Sequence, residues 1–98
     1  MQTISREDLK KKYPDLSKVE GSITEIIQSN FKRIWEIFED ESVSDDEFKE
    51  LVTMIIESAK DTPARKRILD NLESKRTKLD IGMYVNNIWL KGQNMGVI

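Results

Sequence analysis

The 98-residue chain contains no cysteine and no histidine. This double absence removes disulfides, thiolate nucleophiles, imidazole bases, zinc clusters and haem ligation by imidazole. Proline occurs twice and glycine four times, so few positions force the backbone to break. No apolar run reaches the roughly 18 residues needed to cross a bilayer, because Asp80, Asn86 and Asn87 interrupt the most apolar stretch. No basic n-region with an apolar h-region opens the sequence. A soluble, cytoplasmic protein without a membrane partner is the expectation.

Hydrophobic residues make up 38% of the chain and charged residues 35%, with a net charge of −2. That composition predicts a folded domain rather than disorder. At this length only about 60–65% of the unfolded chain's surface is buried on folding. Oligomerisation is therefore a natural route to further burial.

Start signals divide the chain. Ser5 opens a short helix, with Ile4 and Leu9 as a hydrophobic staple, and Pro14 ends it. Lys10 to Gly21 lacks periodicity and reads as a linker, so residues 1–21 form a short helix with an arm and residues 22–98 a helical domain. Ser22-Ile-Thr-Glu25 has capping-box spacing, and Ile23, Ile26, Ile27, Asn30 or Phe31, Ile34, Trp35 and Phe38 follow at helical intervals. Ser44-Asp-Asp-Glu47 repeats the signal, with Val43 and Phe48 as the staple and Leu51, Val52, Ile55, Ile56 and Ala59 on the buried face. The short connection between these two helices makes them antiparallel.

Thr62-Pro63 is the third start, since proline at the first helical position has no amide hydrogen to lose. From there one helix is expected to run to Lys91, about 43 Å at 1.5 Å per residue, with Gly92 as its left-handed cap. The polar run Glu73 to Lys78 is read as a solvated stretch of that helix, with a bend at 74–77 as the alternative. The predicted fold is all-α: a small bundle of three helices plus a short N-terminal helix, with the long last helix at its centre.

That last helix is apolar on every side between Leu79 and Leu90, and a helix of this kind must be covered on every side. Leu79, Met83 and Asn86 or Leu90 share the side assigned to the core. Ile81, Tyr84, Val85, Ile88 and Trp89 spread over the remainder and form the expected partner-binding surface, rimmed by Arg65, Arg76 and Lys78. Met83 and Met95 belong to the residue types favoured at interface cores. Asn86 and Asn87 lie within this apolar segment, where a buried amide needs a partner.

Charge is unevenly spread, with +1 over residues 1–21, −7 over 22–61 and +4 over 62–98. Arg65, Lys66, Arg67, Lys75, Arg76 and Lys78 admit a nucleic-acid-binding reading. Residues 65–67 are consecutive and fan around the helix, which favours a solvated surface instead. The acids from Glu39 to Glu47 lack the order of a calcium loop and serve a helix start. No nucleophile, glycine-rich phosphate cradle or positioned base accompanies them, so neither metal, cofactor nor enzymatic activity is expected.

The closing pattern Met83-Tyr84-Val85-Asn86-Asn87-Ile88-Trp89-Leu90-x-Gly92-x-x-x-Gly96-Val97-Ile98 resembles the C-terminal ends of small accessory proteins of tailed phages. Their last helix closes in a similar Leu-x-Gly-x-x-x-Gly-Val/Ile motif. The resemblance spans about a sixth of the chain and implies a small viral helical protein acting on host or phage proteins, without any catalytic residue. The expected function is that of a non-enzymatic interaction or regulatory protein, homodimeric, binding a protein partner. The alternatives are a nucleic-acid-binding regulator using the basic face of the last helix, or a structural subunit of a larger assembly.

Overall fold

In the computed structural model, residues 6–17, 21–60 and 62–96 are described, the side chains of residues 6, 15, 17, 62 and 92–96 excepted. Five α-helices follow in order: α1 Arg6–Lys12, α2 Ile23–Glu39, α3 Asp45–Glu57, α4 Thr62–Glu73 and α5 Lys78–Gly96, with a 3-10 turn over Pro14–Ser17. No strand occurs among the described residues. The all-α expectation is therefore met, with one helix more than the sequence suggested. The staple assigned to Ile4 and the tail residues Val97 and Ile98 lie outside the described residues.

α2 starts where expected. Ser22 Oγ accepts from the Glu25 amide at 3.3 Å, while Glu25 Oε1 accepts from the Ser22 amide at 3.0 Å. The box satisfies two of the free donors at a helix start. The backbone bond from Ser22 also holds the Glu25 carboxyl below the usual carboxylate range. α3 is capped by Ser44 Oγ at 3.1 Å from the Glu47 amide, but the reciprocal half is absent. Glu47 instead turns towards the N-terminal segment, accepting from Lys12 Nζ at 2.7 Å and Tyr13 Oη at 3.0 Å.

α2 and α3 are antiparallel. Phe38 meets Phe48 near their connection with ring centroids 5.8 Å apart, and at the far end the Lys60 amide donates to the Gly21 carbonyl at 2.9 Å. Gly21 has φ of 144°, a region other residues enter only with strain. The buried cluster includes Ile26, Ile27 and Ile34 of α2 with Phe48, Leu51, Val52, Ile55 and Ile56 of α3. The segment read as an arm also adds to this cluster, because Leu9, Tyr13 and Leu16 are buried in it.

The expected long helix is two helices. After Glu73, Ser74 Oγ donates back to the Asn71 carbonyl at 2.8 Å, and Lys49 Nζ of α3 donates to the Glu73 carbonyl at 2.9 Å. These bonds satisfy carbonyls left over at the α4 C-terminus. Thr77 then opens α5, its Oγ1 accepting from the Asp80 amide at 3.2 Å and its carbonyl from the Ile81 amide at 3.0 Å. Asp45 of α3 accepts from the Lys78 amide at 3.2 Å, so a foreign carboxylate also caps this start. Polar residues 74–77 bring no apolar side chain that would hold a continuous helix against the core.

At the other end, α5 does not stop at Gly92 but runs to Gly96. Among the described residues Gly21 is the only glycine at positive φ, so Gly92 is no left-handed cap. Glycine lowers helix stability by about 1 kcal/mol relative to alanine and does not by itself end a helix.

Candidate protein-contact site

α5 lies antiparallel to α2 along a line of aromatic rings. Trp89 stacks on Phe31 at 4.6 Å between centroids, Phe31 on Trp35 at 5.6 Å, and Trp35 on Phe38 at 4.8 Å. Phe38 then abuts Gly82, where an added Cβ would sit 2.9 Å from its ring. Glycine at position 82 thus lets the helix axes approach closely enough for this line to form. Stacked aromatic pairs of this kind contribute roughly 0.5–1.5 kcal/mol each beyond their buried area.

This packing fixes the rotation of α5 and reverses the faces read from the sequence. Ile81 and Val85 are fully buried in the core, so they cannot meet a partner on the surface of this fold. Tyr84, Ile88 and Trp89 are half-buried and packed against the core. The side assigned to the core is the one left outside: Leu79 is 60% exposed, Met83 57% and Leu90 45%. The reason lies in the break at 74–77. A continuous helix would carry the buried stripe of Ile68 and Leu72 on to Leu79 and Met83, whereas a fresh start at Thr77 resets the phase.

The expected basic rim is dispersed. Arg65 Nη1 donates to the carbonyls of Glu57 and Ala59 at 3.2 and 3.0 Å, closing the C-terminal end of α3. Lys78 Nζ donates to the Asp40 carbonyl at 2.6 Å, tying α5 to the α2–α3 connection. Arg76 is exposed. Tyr84 receives a hydrogen bond on Oη from Asn71 Nδ2 at 3.0 Å and lies under Lys75 Nζ at 5.4 Å, which joins α4 to α5. Arg65, Lys75 and Lys78 are thus engaged within the molecule, leaving fewer of the six cations for phosphates. Asn86 is half-buried and Asn87 exposed, and among the described residues no buried side-chain nitrogen or oxygen lacks a partner.

The sequence reading did not place Trp35 in the site. On α2, Ile27 and Ile34 turn inward and Phe31 and Phe38 face α5, so Trp35, Lys32 and Glu39 fall on the outward flank. On α5 the corresponding flank is Leu79, Met83 and Leu90. Because Phe31 stacks on Trp89 and Phe38 abuts Gly82, the helix wheel turns both flanks toward the same side of the α2–α5 pair. There Phe31, Lys32, Trp35, Glu36 and Glu39 line an open groove of about 380 Å³. The signal for Trp35 was available as a tryptophan on the edge of an otherwise isoleucine-rich stripe.

A second cleft, between α3 and α4, has mostly acidic walls including Glu50, Glu57, Asp70 and Glu73. No group of three or more acidic residues among those described is arranged to hold a metal ion. No described helix is long and apolar enough to cross a membrane. No protein-family model matches the chain, and neither curated proteins nor solved structures give a match.

Proposed function

We propose that this is a small, non-enzymatic contact protein of the cytoplasm, binding a protein through the outward α2–α5 face, with self-association as part of its working state. The observation that supports the reading is the stripe of Leu79, Met83 and Leu90, each close to half exposed or more. Single exposed apolar residues are ordinary, but three on one helical stripe, on the side to which the half-buried Trp35 also turns, are the kind of apolar surface that marks interaction sites. The phage-like closing motif suggests a host or phage protein as the partner. Neither the nucleic-acid reading nor the structural-subunit reading has a specific observation in its favour.

The test compares wild type with Met83→Glu on the outward stripe and Tyr84→Phe on the inward side, each immobilised to capture proteins from a host extract at low and moderate salt. Specific capture that persists with salt, survives Tyr84→Phe and is lost in Met83→Glu is the expected result. Capture that collapses as salt rises would instead indicate phosphate contacts.

A further inference from the structure

We infer that in the free protein the outward face is covered by a second copy of this chain, which a captured partner must displace, docked about a two-fold axis that runs across the helices, so that α5 lies antiparallel to α5 and α2 to α2. The inference rests on the contact reading above. Its first support is the arrangement of the apolar groups around one centre. Leu79 and Leu90 are equidistant from the Tyr84–Val85 peptide. Trp35 lies midway between Phe31, which stacks on Trp89, and Phe38, which abuts Gly82, and so is level with Val85 and Asn86. A transverse axis at that level sets Leu79 against Leu90 of the second copy, with Met83 and Trp35 in the middle.

The second support is charge. Lys32 and Glu39 sit at opposite ends of the groove beside Trp35. Asp80 and Lys91 lie at opposite ends of the α5 stripe, both exposed. With the transverse axis Lys32 meets Glu39 of the second copy and Asp80 meets its Lys91, each pair made twice, while Glu36, also in the groove lining, comes level with its own copy and has Arg33 beside it at 3.5 Å. With an axis along the helices, Asp80 comes level with Glu39 of the second copy and Lys91 with its Lys32, so like charges face each other. Complementary pairs set orientation, and like-charge pairs exclude the alternative.

Size is consistent with this geometry. α5 is 19 residues long, about 28 Å at 1.5 Å per residue, and two helices 8–10 Å apart present a face of several hundred Å². Stable interfaces bury on the order of 800 Å² per partner.

The absence of cysteine allows a direct test by oxidative cross-linking. Leu79→Cys and Leu90→Cys are both at exposed positions, so the fold tolerates them. Wild type is expected to sediment as a dimer at about 100 µM, with Met83→Glu weakening association by at least about tenfold. On mild oxidation the mixture of the two cysteine variants cross-links, whereas each alone does not. Self-cross-linking of each single variant without cross-linking between them overturns the transverse axis. A wild type monomeric at that concentration overturns the inference outright. If such a monomer still captures a host protein in a Met83-dependent way, the contact reading stands without it; if it captures nothing, both fall.

Discussion

At the scale of single residues, Glu47 has the most consequential position. Its neighbours in the sequence assign it to a capping box, yet its carboxylate is buried and holds Lys12 and Tyr13 of the N-terminal segment. A carboxylate taken from water must find charge-assisted partners or lose several kcal/mol, and here the α1 end supplies both. The hydrogen bond to Glu47 is the main cause that raises the Lys12 pKa. Burial raises that of Tyr13, with the same carboxylate adding to it. In both groups the folded state holds its proton more tightly than the unfolded state does. Their contribution is therefore complete below the ordinary values, about 10 for tyrosine and 10.4 for lysine, and is lost as pH rises from there through the folded-state values. Melting temperature followed by circular dichroism should fall across that alkaline window. Tyr13→Phe should lower stability by about 1.5–3 kcal/mol at neutral pH for a lost bond to a charged acceptor, shifting the whole curve down, and should make its alkaline limb shallower. An unchanged limb would place the titration elsewhere.

At the scale of elements, Gly82 governs how α5 meets α2. Gly82→Ala should raise helix propensity by about 1 kcal/mol, but the new Cβ would lie 2.9 Å from a Phe38 ring already held between Trp35 and Phe48. Overpacking of this kind loses about 1–3 kcal/mol, so the variant is expected to be less stable by about 1 kcal/mol. Urea unfolding followed by fluorescence reads this directly, since Trp35 and Trp89 both belong to the ring line. The helices themselves were legible wherever a start signal stood before an apolar stripe. Ser22 and Ser44 located α2 and α3 within a residue, and every residue named for the buried face of α3 is buried. Thr77-Lys-Leu-Asp80 is a start signal of the same family, but the apolar spacing of Ile68, Leu72, Leu79 and Met83 happens to continue across the break and masks it. Periodicity carries no record of a phase reset. The contact site inherits that unbroken phase, with Ile81 and Val85 expected outside and Leu79 and Met83 inside, the reverse of their burial. The flank of Trp35 is not legible in the sequence, because it is defined only once Phe31 and Phe38 are matched to α5.

For the molecule as a whole, the question is whether the N-terminal segment is an accessory or a part of the fold. Lysine-rich and without periodicity, it reads as a linker, since short segments that dock by three anchors leave no stripe to detect. Leu9, Tyr13 and Leu16 nevertheless sit in the same buried cluster as the α2 and α3 isoleucines. At 98 residues a single core has little stability in reserve, on the order of 5–15 kcal/mol, so three such side chains are a sizeable share of it. Leu16→Ala is expected to destabilise the protein by about 2–5 kcal/mol, the range for a fully buried leucine. The form of the loss discriminates as well as its size. If the segment belongs to one cooperative unit, the urea transition stays single and its midpoint falls, with tryptophan fluorescence and helical ellipticity moving together. If it were an independently docked arm, Leu16→Ala would leave the fluorescence transition of the Trp35–Trp89 line in place, and only a small early loss of ellipticity would appear. The shared cluster, together with the Glu47 bonds that cross from α1 to α3, favours the single transition.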